Sequence, residues 1–420
     1  MIRLLKAKSF FIFGRILGNW GRYRVGVNQL ERGLALYPKD LSALCLLGWC
    51  HCHLYEYQRA FEAFDRALQV SPDSAYARLN IGEALFSLER YQEAADSISR
   101  ALRMEPKYGE KARYLKLLGL ANAQLGQNQE ACENLRKADQ LCPGDTEAVY
   151  WLGRILISFE RYEEAEGYLR KAAVLEPGNY HAHGDLGLAL YGLEKWNESA
   201  AEYEQAIRLQ PDWADGHIGL GKACRQLMEY PRSISAIKQA IKLQPDNPDH
   251  YLQLAVSFGD AGRWEESLEA DRKLVQLRPD DKMSYISLSA AYHELERYQE
   301  SADACLEALR IDPSCLPALE GIGYAYLNLN RFEDASNALL HAISIKPDTP
   351  YTHAWLAHAY AGLHEEKAAR KEVAALMQLD VAMAKELEPF VEEKLRDPLP
   401  NRVGSTNGND SLLRPSGLRC

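Results

Sequence analysis

The sequence predicts an all-α chain of tandem helical hairpins stacked as a solenoid, and three observations carry that prediction. First, the prolines Pro38, Pro72, Pro106, Pro143, Pro177, Pro211, Pro245, Pro279, Pro313 and Pro347 are spaced by 34 residues, with a single step of 37. A fixed period of this size marks a repeat array, whose units cannot bury their apolar faces alone and must stack on neighbours. Second, each period holds two apolar stretches of helical spacing around a short polar turn. Leu44, Leu47, Gly48 and His51 are followed across Leu54-Tyr55-Glu56 by Ala60, Phe64 and Ala67. Third, no alternating β-branched run of strand type interrupts the series.

With the proline counted as position 32, the register of each unit becomes explicit. Position 8 is Gly14, Gly48, Gly82, Gly119, Gly153, Gly187, Gly221 and Gly323, with Ala255 and Ser289 as departures. Position 17 is aromatic (Tyr23, Tyr57, Tyr91, Tyr162, Trp196, Tyr230, Trp264, Tyr298, Phe332) except at Asn128. Position 20 is always small, from Gly26 to Ala335, and position 27 is Ala apart from Gly33 and Leu274. Small residues let two helix backbones approach, and the aromatic residue fills the wedge at the turn. Proline lacks the donor a helix interior needs and so stops the second helix. Pro248, Pro317 and Pro350 fall in the first two positions of a unit and Pro231 in the first turn of a second helix, where proline is tolerated. Over residues 7–349 this pattern resembles the tetratricopeptide repeat, W-x2-L-G-x2-Y followed by A-x3-F and P. The resemblance implies a right-handed superhelix with a concave binding surface.

Taken in order, the elements begin with a basic stretch carrying Arg3, Lys6, Lys8, Arg15, Arg22 and Arg24 around Phe10-Phe11-Ile12-Phe13. It imitates a targeting or membrane-surface segment, but Phe10, Phe13, Gly14, Leu17, Gly21 and Tyr23 occupy repeat positions, and the register favours an ordinary first repeat. Ten units fill residues 1–349. Gly109-Glu110-Lys111 are the additional residues of the long step and are expected to extend the fourth unit's first helix or loosen its junction. Residues 350–397 read as a partial eleventh unit with capping helices. Its turn is expected to be shortened at His364-Glu365-Glu366-Lys367, with a helical run from Ala368 through Leu395. Residues 398–420 shift to Pro, Gly, Ser, Asn and Arg, the composition of a disordered tail.

The net charge of −10 and pI near 5.7 speak against a general nucleic-acid or anionic-membrane binder, which relies on a basic face. No stretch is long and apolar enough to span a bilayer. Nine cysteines without framework spacing point to a reducing, cytoplasmic setting.

Several strings imitate catalytic or metal chemistry. Gly216 to Ala223 nearly spells a phosphate loop, but Ala223 stands where Ser or Thr should hold magnesium and no strand precedes it. His181-Ala182-His183-Gly184-Asp185 resembles the start of the metallo-β-lactamase motif, with Leu186 in place of its final His; His181 and Asp185 share a helix face but lack a third ligand. In Cys50-His51-Cys52-His53 only Cys50 and His53 share a face. Gly221 is read as position 8 inside a helix and the Cys50 to His53 string as packing, and no catalytic residue, cofactor or metal is assigned.

The resemblance implies that first-helix positions 2, 5, 6, 9, 12 and 13 face the groove. Mapped onto this chain, the candidate partner-binding residues are Tyr150, Trp151, Arg154, His181, Asp185, Tyr191, Lys222 and Arg225, aromatic anchors beside charges of both signs. The carboxylate clamp of chaperone-binding relatives is absent, since its slots read Tyr150, Arg154, Gly184, Leu188, Ile218 and Lys222. The asparagine ladder of the protein O-linked N-acetylglucosamine transferases is reduced to Asn80. These readings converge on a non-enzymatic scaffold that binds a peptide or helix of another protein, one with apolar anchors and some basic character. The alternatives are an accessory or regulatory subunit of an enzyme on another chain, such as a glycosyltransferase, or a module that self-associates through its ends.

Overall fold

The computed structural model describes residues 2–396, so the composition reading of a disordered tail at 398–420 lies outside the described residues. Among the described residues, 23 α-helices and one 3-10 helix follow one another with no strand. From Leu41 to Leu379 they pair as hairpins with a first helix of 13 residues and a second of 14.

Short-range chemistry sets these lengths. Before each proline the chain leaves helical geometry, as at Ser71 (φ −138, ψ 90) and Glu176 (φ −135, ψ 77), because the proline ring crowds the helical conformation of its predecessor. Two residues after the proline a polar side chain caps the next first helix in several units, though not at Trp213, Cys315 or Thr349: Asp145 accepts from the Ala148 amide at 3.0 Å and Asn179 from the Ala182 amide at 3.2 Å. Inside each hairpin, position 15 adopts positive φ, as at Glu160 (56°) and Gly262 (70°). That conformation returns the following amide to the preceding helix, so that Arg161 N donates to Leu156 O at 3.0 Å.

The two helices of a hairpin close on the glycine of position 8, which seats the side chain of position 24. A methyl group at Gly153 would lie 2.5 Å from Leu169 Cγ, and one at Gly82 would lie 2.4 Å from Ile98 Cγ1. The departures at position 8 coincide with departures at position 24. Ala255 stands opposite Asp271 in the register, and Ser289 Oγ lies 3.0 Å from Cys305 Sγ. Gly33, an exception at position 27, has a similar cause: a side chain there would meet the Phe11 ring at 2.4 Å.

The chain divides into two compact units, Met1–Pro211 and Asp212–Cys420. In the first, the helix Ile2–Asn19 packs on Tyr23–Leu36 and begins five residues before the repeat register. Residues 109–111 do not lengthen a helix; Pro106–Glu110 forms a 3-10 turn and the next helix is Ala112–Gln124, of standard length. The second unit corrects two expectations. The turn at His364 is not shortened, because Pro350–Gly362 and Glu366–Leu379 keep the ordinary three-residue connection with His364 at φ 56°. The run from Ala368 to Leu395 is broken at Asp380 (φ −148, ψ 99), whose carboxylate accepts from the Met383 amide at 3.0 Å and starts the closing helix Val381–Arg396. This helix packs on both helices of the eleventh hairpin and buries Ala384, Leu387 and Val391.

Candidate partner-binding groove

In the first unit the helices Thr146–Ser158 and Tyr180–Gly192 position six of the candidate residues. Trp151 is half-buried, meets the Tyr150 ring edge-on at 5.9 Å and carries the exposed Arg154 guanidinium 5.1 Å from its centroid. One helical turn sets this stack, since residues three apart are neighbours on a helix face. Asp185 faces Tyr150 and Arg154 from the adjacent helix. Burial pushes the Asp185 carboxyl above its ordinary value, against the opposing pull of Tyr150 and of the Arg154 and His181 charges. Burial, followed by the Asp185 charge, raises the Tyr150 phenol. The Asp185 Oδ2 atom is buried and has no hydrogen-bond partner. His181 is exposed, with its ring 4.0 Å from that of Tyr180. Tyr191 packs edge-on against Trp196 at 4.7 Å, so it also supports the hairpin turn. The geometry therefore brings together Tyr150, Trp151, Arg154 and Asp185, with His181 at the edge of the set.

Several other groove charges are paired between neighbouring hairpins. Arg113 pairs with Glu83, and Lys116 Nζ lies 2.9 Å from Asp145 and 3.2 Å from Glu147. These cations are partly neutralised, whereas the Asp185 carboxylate keeps an unsatisfied acceptor.

In the second unit Lys222 and Arg225 lie half-buried on Ala214–Gln226. Arg225 Nη1 is 3.4 Å from Asp260 Oδ2. Beside this pair opens a cavity of about 220 Å³ that includes Asp271, a residue the groove positions do not cover. Its sequence signal was an acid in the column otherwise filled by Leu30, Phe64, Ile98, Leu135, Leu169, Tyr203, Ile237, Cys305, Leu339 and Val373. A larger cavity, about 700 Å³, opens near the N-terminus between Lys8, Phe11, Ile12, Arg15, Trp49 and Tyr76.

Two of the strings that imitate other chemistry have packing partners, whereas His181 and Asp185 belong to the groove cluster above. Gly221 lies inside a helix, where a methyl group would meet Ile237 Cγ1 at 2.6 Å. His51 Nδ1 is 2.7 Å from Glu56 Oε2, and His53 stacks on Tyr23 at 4.6 Å. Burial pushes the Cys50 thiol up to about 11 and Cys52 up to about 12. No group of three His, Cys, Asp or Glu side chains with metal-holding geometry occurs among the described residues.

Comparison with known proteins agrees with the repeat register. The tetratricopeptide repeat model matches residues 79–146, 118–180, 185–248 and 252–314, over half of the chain, and the TPR repeat model matches 323–363. A model of the anaphase-promoting complex, cyclosome, subunit 3 matches residues 11–101. No curated protein matches this chain. Among solved structures, YrrB, a TPR protein with an unusual peptide-binding site, is 24% identical over 44% of this chain and 95% of its own, with a TM-score of 0.40. Yeast Tom70 is 15% identical over 92% of this chain and 95% of its own, with a TM-score of 0.40. The APC/C hetero-tetramer Cut9-Hcn1 gives 13% identity over 93% of this chain and 96% of the matched chain, with a TM-score of 0.42.

Proposed function

The chain belongs to the tetratricopeptide repeat family, and on that premise we propose that it is a non-catalytic scaffold holding a peptide or helix of a partner protein along its first-helix faces. The observation that carries this reading is the cluster of Trp151 with Arg154 stacked on it, beside Tyr150 and the orphaned acceptor of Asp185. Half-buried aromatic residues with an adjoining Arg are the anchors that interfaces favour, and an unsatisfied buried acceptor favours a ligand that donates a hydrogen bond. His181 and Tyr191 extend the surface in the first unit, and Lys222 and Arg225 belong to the groove of the second. The partner has apolar anchors and some basic character, as the unsatisfied carboxylate and the paired groove cations favour. We place the protein in the cytoplasm, supported by nine cysteines without the spacing of a disulfide framework. No helix among the described residues is long and apolar enough to cross a membrane.

The test is affinity capture with mass spectrometry, followed by binding measurements on variants. Trp151→Ala should weaken partner binding by about 2 kcal/mol or more, and Arg154→Ala by less. Arg161→Ala and Lys195→Ala, on the outer turns, should bind as the parent does. Loss of binding in these two variants, with Trp151→Ala unaffected and folded, would place the partner on another surface. Self-assembly through the first helix and the turn that follows it is a second reading, favoured by the exposed Leu5, Ile12, Phe13 and Trp20. A concentration-dependent mass in solution would reveal it.

A further inference from the structure

The eighth hairpin, Pro248–Asp260 with Trp264–Leu277, is built unlike the others. Its position 24 holds Asp271, which is 1% exposed, where every other unit except the ninth, with Cys305, buries a larger apolar side chain. Across from it, Ala255 adds only one methyl group to the glycine of the ordinary pair. The volume lost at position 24 is thus not refilled, and a cavity of about 220 Å³ remains between Arg225, Asp260, Trp264, Ser267, Asp271 and Ser287. That is room for roughly seven waters or one long side chain. It falls below the size usual for a metabolite pocket.

The polar groups of this cavity are incompletely matched. Ser287 Oγ donates to Asp271 Oδ1 at 2.6 Å, but Asp271 Oδ2 is buried and has no partner. Ser267 Oγ lies close enough to lower the pKa of the Asp271 carboxyl but directs its proton to the Ala255 carbonyl at 2.9 Å. The Arg225 and Asp260 charges offset one another, while the Arg225 Nε–H is itself buried without an acceptor. Arg225, Asp260 and Asp271 are the titratable residues of the lining, so the cavity carries one uncompensated carboxylate. Such a group costs several kcal/mol unless it is protonated or paired. Ser287, Val256, Arg225 and Asp260 occupy positions 6, 9, 12 and 13 of their hairpins, so the cavity opens on the face assigned to the partner.

We propose that this cavity is a specificity pocket for one Lys or Arg side chain of the segment bound by the second unit, with its cationic head on Asp271 Oδ2. The aliphatic stem lies along Trp264 and Ala290, and a backbone carbonyl of the same segment accepts from Arg225 Nε. A long cationic side chain suits this shape because its stem is apolar and its head is charged. The inference rests on the groove reading and adds the chemistry of one anchor. Burial, against the opposing hydrogen bonds of Ser287 and Ser267, pushes the Asp271 carboxyl up to about 7, and a cation bound beside it would favour the ionised form.

A displayed library of random peptides selected against the full chain tests this directly. Peptides recovered on the parent should share Lys or Arg at one fixed position, favoured roughly tenfold over neutral residues. Asp271→Asn should erase that preference while leaving the others, with folding checked by its thermal transition. Recovered peptides without a fixed basic position, or an unchanged basic preference in the variant, overturn the pocket and leave the groove reading intact. Recovery of no peptide at all overturns both. If Asp271→Asn does not fold, butylammonium is titrated into the parent with the aspartate carboxyl carbons labelled. A saturable shift at Asp271 supports the pocket, and its absence overturns it.

Discussion

Asp271 has a measurable pH signature. Its carboxyl rises from an ordinary 3.8 to about 7, so between those values the folded chain holds a proton that the unfolded chain has lost. Stability from this residue is therefore fully present below about 4 and declines as pH rises to about 7, a loss of roughly 4 kcal/mol in all. His358, pushed down to about 4 by burial, acts with the opposite sign, since its folded neutral form is undercut as pH falls below 6.5. The diagnostic quantity is consequently the difference between parent and Asp271→Asn in denaturant midpoints from pH 4 to 8: the variant should gain on the parent as pH rises. A constant difference would show that Asp271 is not desolvated. Restoring the ordinary pair with Ala255→Gly and Asp271→Leu should stabilise the chain by about 1–4 kcal/mol at pH 8, read in the same melts, because an unpaired buried charge gives way to packed apolar surface. The sequence already marked Ala255 and Ser289 as departures. What they faced was not legible, because position 24 lies on the other helix and varies freely among apolar residues, so that Asp271 stands out only once the two columns are paired.

The hairpin turn is the element that repeats most faithfully, and it does so through backbone conformation more than residue type. Position 15 takes positive φ at Tyr55, Glu89, Glu160, Glu194, Met228, Glu296, Asn330 and His364 as well as at Gly21, Gly126 and Gly262. This explains why no glycine signature was visible there, and why the turn at His364 kept its length although Glu366 replaces the aromatic residue of position 17. A side chain at Gly262 would touch nothing within 4 Å, so Gly262→Ala isolates the backbone term. It should cost about 1–2 kcal/mol in a denaturant melt, the penalty of the left-handed conformation for a residue with a Cβ. The second helix of the eleventh hairpin taught a related point: without a proline, Asp380 ends the helix and caps the next one. The N-terminal helix was legible in its repeat positions but not in its early start, because the residues before the register carry no periodic constraint.

For the whole molecule, the periodic prolines and glycines predicted a chain whose apolar surface is buried hairpin by hairpin. Separate apolar clusters occur along it, such as the one joining Leu135, Leu152 and Leu169 in the first unit and the one around Ile322, Leu339 and Leu356 in the second. What the period could not place was the division at Pro211, since the repeat pattern runs through that point without a change of composition. Stability in such an array is a sum of repeat terms and nearest-neighbour terms, so damage should stay local. Gly153→Val drives two methyl groups into Leu169, and Ala165→Leu adds bulk at a position that is fully buried. Each should cost about 1–3 kcal/mol. Native-state hydrogen exchange should then show amides of Thr146–Ser158 and Tyr162–Leu175 losing protection first, with neighbouring hairpins affected less and Leu316–Asn328 unchanged. Equal loss of protection in every hairpin would mean that the chain unfolds as a single cooperative body, and the additive account of its stability would be wrong.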